Sequence, residues 1–175
     1  MTSLVPNSTV VPGLSRRAWL GSALMLGAAQ SATAAATLPI AKSLRIELAQ
    51  ALKGGNPLVL MVSLDGCPFC KMAREQYLGP MREELDLPIV QVDMQSSATL
   101  QDFKGVVLTH DELVHAWKVT LAPTILFFGP EAAEVAPRLA GFGSPDYYGT
   151  NLEQRLEQAR VALRIPTPAK IPSTR

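Results

Sequence analysis

Apolar positions follow two rhythms along this chain. Leu44, Leu48 and Leu52 recur at every fourth position, with Ala49 and Ala51 between them. That spacing predicts a helix after a short lead in the segment 38–54, with Ser43 at its start and Gly54-Gly55-Asn56-Pro57 as its stop. Leu58 to Leu64 is a continuous apolar run bounded by turn residues, the pattern of a strand buried on both faces. Lys71 to Glu84 has helical composition, and Pro80 predicts a kink or break after Leu78. Ile89–Asp93 and Thr124–Phe128 predict two more strands. Val135–Phe142 predicts a fourth, at a sheet edge because of Pro137. Residues 94–105 read as polar loop with a turn at Lys104-Gly105, and Val106–Leu108 as a short extended piece. Thr109, with Glu112 three residues later, caps a helix from about Asp111 to Trp117. A last helix covers 146–163, with Leu152, Leu156, Ala159 and Leu163 on one stripe.

Strand–helix–strand units followed by a hairpin and a covering helix make a mixed sheet with helices on both faces, an α/β architecture. The chain of 175 residues suits one domain with a modest addition. With 47% apolar and 18% charged residues it folds around a core. Sixteen basic and fifteen acidic residues leave a formal charge of +1, so nothing in the balance calls for nucleic acid.

The addition lies at the start. Ser15-Arg16-Arg17-Ala18-Trp19-Leu20 precedes a stretch to Ala36 that carries no charge and is rich in Ala, Leu, Gly and Ser. Arginine, then an apolar stretch, then small residues is the pattern of an export signal. The paired arginines resemble a twin-arginine signal, with Gly21 where lysine is common. The ordinary secretory route and a retained membrane anchor are the competing readings. The expected division is a cleaved leader over 1–34, a domain over 35–165 and a flexible proline-rich tail over 166–175, with cleavage between Ala34 and Ala36. Loss of Arg16 and Arg17 turns the net charge from +1 to −1. The expected destination is the periplasm, where the redox state of cysteines matters.

Only two cysteines exist, Cys67 and Cys70, directly after the first predicted strand and at the start of a predicted helix. Two intervening residues leave the sulfurs within bonding distance of each other. Unpaired backbone N–H groups at a helix start favour the thiolate of the leading cysteine. The second, one turn in, is placed to resolve a mixed disulfide formed by the first. Pro68 occupies the first helical position, where its missing N–H costs nothing, and Lys71 is the nearest cation. Half a zinc site and an inert structural disulfide are the alternatives. The first lacks a second cysteine pair, and His110 and His115 fall on poorly matched faces of one helix. The second closes too short a loop to constrain the chain much.

The strand before Cys67-Pro68-Phe69-Cys70, the run Ala122-Pro123-Thr124 before another strand, the region of Gly141 and the final helix together resemble the thioredoxin superfamily over nearly all of residues 38 to 163. The resemblance is to its exported bacterial members, with a Pro-Phe centre like that of glutaredoxins. It implies the thioredoxin fold, a central mixed four-stranded sheet flanked by helices, and an exported thiol–disulfide oxidoreductase. Cys67 would be the nucleophile and Cys70 the resolving residue. Phe69, Ala122, Pro123 and Thr124 would meet substrate, with Gly66, Pro68 and Lys71 as auxiliaries. A cis bond before Pro123, facing the dithiol, would let residue 122 pair with an incoming polypeptide as an added strand.

No metal and no cofactor beyond the redox-active disulfide is expected. The expected partners are protein thiols or disulfides, a membrane electron donor, and cytochrome c maturation or sulfur-oxidation proteins, with the protein a monomer. With no large helical insertion between the motif and Pro123, reduction is favoured over oxidation. A dithiol oxidase and a non-catalytic binding module of the same fold are the alternatives. Two positions depart from the family pattern. Gly66 stands where tryptophan is common, and Met61 where many members bury an acid. Asp65 reads as a solvated turn residue and Trp117 as core. Phe142, Tyr147 and Tyr148 read as the hinge into the last helix, within an aromatic Gly141–Gly149 stretch that is a candidate partner surface.

Overall fold

A computed structural model of the chain describes residues 37–164. The expected leader over 1–34 and the proline-rich tail over 166–175 lie outside those residues. In chain order the elements are α1 (Leu44–Lys53), β1 (Leu58–Ser63), α2 (Pro68–Met72), a π-helical stretch (Ala73–Leu78) and α3 (Gly79–Glu84). Then come β2 (Ile89–Asp93), β3 (Thr99–Gln101), β4 (Val107–Thr109), α4 (His110–Ala116), β5 (Thr124–Phe128), β6 (Leu139–Ala140) and α5 (Pro145–Arg164).

β1 is buried at all six positions, so it needs a partner on each edge and a layer on each face. It pairs in parallel with β2 and antiparallel with β5, and β6 completes a mixed sheet of order β2-β1-β5-β6. Alternation along β1 assigns its side chains to two layers. Val59 and Met61 pack with Phe127 and the α5 residues Tyr148, Leu152, Leu156 and Ala159. Leu58, Leu60 and Val62 pack with Leu44, Leu48 and Ala51 of α1 and Leu113 and Val114 of α4. Each such side chain taken out of water is worth about 1.5–3 kcal/mol. The thioredoxin fold implied by the resemblance is the fold observed.

Two local expectations change in the folded chain, and a third is met differently. At α1 Ser43 is the N-cap residue as expected, but its side chain makes no capping bond. Instead the Glu47 carboxylate reaches back to the N–H groups of Lys42 at 2.8 Å and Ser43 at 3.4 Å. Residues 94–105 are not all loop, since Thr99–Gln101 form β3, paired antiparallel with β4. Only Leu100 of its three residues is buried, too short an alternation to read as a strand. The turn at Lys104-Gly105 is present, and the Asp102 carboxylate accepts from the N–H groups of Lys104 and Val106, each at 2.8 Å. The expected strand Val135–Phe142 shrinks to β6 plus a single bridge between Glu134 and Phe128. Between those pairings four residues face two of β5, because Pro137 has no N–H for the ladder and the chain bulges around it.

Pro80 acts as expected at Leu78, but by a change of helix type. The π-helical stretch ends at Leu78 and α-helix resumes at Gly79, so a widened turn accommodates the proline ring without ending the helix. At α4 the capping box is complete. The Glu112 N–H donates to Thr109 Oγ1 at 3.1 Å, and the Thr109 N–H to Glu112 Oε2 at 2.7 Å.

Candidate active site

β1 delivers the chain to the sheet end where the two cysteines lie. Gly66 adopts φ +68°, a left-handed conformation that glycine takes without a Cβ penalty, and this turns the chain into α2. The Asp65 carboxylate accepts from the Gly66 N–H at 3.0 Å, so Asp65 is the exposed turn residue the sequence predicts. Cys67 takes the N-cap position with extended backbone angles, φ −78° and ψ 113°. Its Sγ accepts from the Cys70 N–H at 3.1 Å, one of the donors a helix start leaves unpaired. Pro68 is the first helical residue and Lys71 is exposed.

Both cysteines are free thiols, and they differ in access. Cys67 is half-buried, while Cys70 is 1% exposed. Burial, and then the hydrogen bond and charge of Cys67, push the Cys70 thiol up to about 11. Cys67 opens onto a cleft of about 1160 Å³, whose lining includes Ser63, Lys71 and Arg74. One accessible sulfur and one protected sulfur at a helix start suit successive attack and resolution.

The same sheet end carries the loop before β5, because β5 runs antiparallel to β1 with Thr124 opposite Val62. The Ala122–Pro123 bond is cis. Ala122 packs against the same core cluster as Cys67. The Pro123 carbonyl accepts from the Gly141 N–H at 2.8 Å. The N–H and C=O of Ala122 have no hydrogen-bond partner among the described residues. Thr124, expected among the substrate contacts, is buried, and its hydroxyl donates to the Leu121 carbonyl at 2.6 Å. Its side chain therefore ties the loop to the strand and does not face a ligand.

Phe69, between the cysteines, is 51% exposed and stacks on Phe142 with centroids 5.8 Å apart. Phe142 stacks in turn on Tyr148 at 4.3 Å, and Tyr77 meets Tyr148 edge-on at 5.0 Å. The aromatic stretch thus turns inward: Phe142 and Tyr148 are buried beneath the motif, and only Tyr147 stands out to solvent. Burial, with a contribution from nearby Cys70, raises the Tyr148 phenol and keeps it neutral. Trp117 packs with Phe103 and Phe128 in the opposite layer, as core. His110 is buried and accepts the Asp93 N–H at Nδ1, whereas His115 is exposed beside Asp111. The two histidines do not converge.

Sequence reasoning did not single out Ser63 and Arg74. Arg74 Nη2 donates to Ser63 Oγ at 3.0 Å, beside Cys70. The available signals were a single hydroxyl in an apolar strand and a cation four residues after a cysteine.

The sequence pattern of the thioredoxin-like domain matches residues 44–159. No curated protein sequence matches significantly. Among solved structures, a DsbH oxidoreductase is similar at 21% identity and TM-score 0.50, over 70% of this chain and 88% of that one. The reduced periplasmic thioredoxin SoxS from Paracoccus pantotrophus has 19% identity and TM-score 0.40, covering 59% of this chain and 98% of its own. Oxidised thioredoxin O2 from Arabidopsis thaliana has 17% identity and TM-score 0.45, covering 67% and 91%. The likeness to the DsbH oxidoreductase is one of fold.

Proposed function

This chain belongs to the thioredoxin-like domain family, and from that premise we propose that it is an exported thiol–disulfide oxidoreductase that reduces disulfides in protein substrates through Cys67 and Cys70. The observation that carries this reading is the asymmetry of the pair: a half-buried Cys67 capping α2 and a buried Cys70 whose N–H it holds.

In the reaction, the Cys67 thiolate attacks one sulfur of a substrate disulfide. That S–S bond breaks, and the departing substrate sulfur takes a proton. Cys70, once deprotonated, attacks Cys67 Sγ. The mixed disulfide breaks, the second substrate sulfur leaves and is protonated, and Cys67 and Cys70 become a disulfide. Two electrons pass to the substrate, and no cofactor beyond the dithiol takes part. A polypeptide beside the motif would pair with the free backbone groups of Ala122 and lie against Pro123 and the exposed face of Phe69.

The periplasm is the proposed site of action, reached by the twin-arginine route on the signal at Arg16-Arg17. The protein acts as a monomer and is recharged by a membrane electron donor. Cytochrome c maturation or sulfur-oxidation proteins are the proposed substrates. Only β2, the β3–β4 hairpin and short helices separate the motif from Pro123, which favours reduction over dedicated oxidation. The test is insulin reduction with dithiothreitol as electron source, joined to the equilibrium potential of the Cys67–Cys70 pair in glutathione buffers. A potential in the reducing range of thioredoxin, about −270 mV, supports the direction. A potential near the oxidising end, about −120 mV, reverses it. No acceleration of insulin reduction leaves the binding-module alternative.

A further inference from the structure

Cys70 and Arg74 stand four residues apart, on the helix face that meets the end of β1. Ser63 closes that strand and is 1% exposed. Arg74 Nη2 donates to Ser63 Oγ at 3.0 Å, and Arg74 Nε donates to Gln91 Oε1 at 2.8 Å. The Gln91 amide donates to Asp93 Oδ1 at 2.6 Å. The guanidinium is thus held by a neutral amide, and among the described residues no carboxylate forms an ion pair with it. The Ser63 oxygen accepts from the guanidinium and keeps its hydrogen for another acceptor. Ser63 lies next to Cys70, and its hydroxyl favours the Cys70 thiolate. Met61, on the same face of β1 two residues earlier, is fully buried and brings no ionisable group.

We propose that the Ser63 hydroxyl donates to the Cys70 sulfur as that sulfur becomes the thiolate of the resolving step, and that Arg74 positions and polarises Ser63 for this. The inference rests on the thiol–disulfide reading. Cys70 loses its proton to water, its thiolate forms the bond to Cys67 Sγ, and the substrate sulfur leaves and takes up a proton. Arginine stays charged throughout and moves no proton. Its part is to make the serine a stronger donor, as a charged partner does. The Leu64 backbone also bonds the Cys70 sulfur and favours its thiolate, but Ser63 is the one side chain that does so. Cys67, at the start of α2, is the sulfur under attack. Tyr148, from α5, stays neutral, with Tyr77 behind it. Asp93 is reached only through Gln91.

The experiment uses 5,5′-dithiobis(2-nitrobenzoate) with the full-length reduced protein. Attack by Cys67 releases the first thionitrobenzoate, and resolution by Cys70 releases the second. Ser63→Ala and Arg74→Gln are expected to slow the second release roughly tenfold, the scale of a charge-assisted hydrogen bond, with a much smaller effect on the first. The pH at which the second release accelerates should rise by about one unit. Ser63→Thr should restore both readouts. A merely structural role would slow both releases and leave the pH profile in place. Wild-type rate and profile for the second release in Arg74→Gln, whose side chain is only half-buried, overturn the proposal even if Ser63→Ala does not fold. Slowing by Tyr148→Phe with none by Ser63→Ala also overturns it. Insulin reduction by wild type is scored separately, so failure of the oxidoreductase reading leaves the contrast between the two releases intact.

Discussion

The Cys70 N–H donates to Cys67 Sγ across 3.1 Å, so the residue buried beneath the motif holds the sulfur that faces solvent. The two thiols are therefore unequal. Iodoacetamide applied to the reduced protein near neutral pH should label Cys67 at least about tenfold faster than Cys70, which is buried and held up to about 11. Peptide mass analysis reads the order, and faster labelling of Cys70 would reverse the assignment.

The same burial predicts a pH dependence of stability. The Cys70 thiol titrates near 9.0 when unperturbed and near 11 in the fold, so the folded chain holds this proton more tightly. The contribution is full below about 9.0 and is lost as pH rises through 11. It amounts to something on the order of 2 kcal/mol. Denaturant midpoints of the reduced protein and of Cys70→Ala, compared at pH 8 and at pH 10.5, isolate it. Parallel losses in the two proteins would remove it.

Resolution by Cys70 gives a further expected outcome. Cys67→Ser should lose insulin reduction altogether. Cys70→Ser should attack and then stall as a mixed disulfide, because no third cysteine is present to release it. Isolation of that adduct from a periplasmic extract identifies the substrate protein. Release of bound substrate by Cys70→Ser at the wild-type rate would exclude this role for Cys70.

Away from the site, Thr109→Ala removes the hydroxyl that accepts the Glu112 N–H at 3.1 Å. The expected loss is about 1 kcal/mol, typical of an N-cap threonine. Urea unfolding of the two proteins measures it, and an unchanged midpoint would mean that the cap adds nothing to α4.

The leader has its own test. Mature protein should begin near residue 35, and replacement of Arg16 and Arg17 by lysine should block its export. Mass spectrometry of the exported protein reads the first point, and retention of Met1 would exclude cleavage.

Helix and strand positions were legible in the chain wherever the cause was local. β2 and β5 have the bounds predicted, Ile89–Asp93 and Thr124–Phe128, because an apolar run between turn residues needs no distant partner to declare itself. The Thr109 capping box closes within four residues. The dithiol was legible for the same reason, since two residues between cysteines at a helix start already define its geometry. Pairing across the chain was not legible. β3 is a strand only because β4 lies beside it, and the expected fourth strand loses its middle to the bulge at Pro137. From the sequence Thr124 reads as a substrate contact, but its buried hydroxyl donates to the Leu121 carbonyl, a partner that spacing along the chain does not specify. Ser63 and Arg74 are eleven residues apart, and no local rule links them. Only packing of the helix against the end of β1 sets that guanidinium on that hydroxyl beside Cys70, because hydrogen bonds form through space and the sequence orders residues only along the chain.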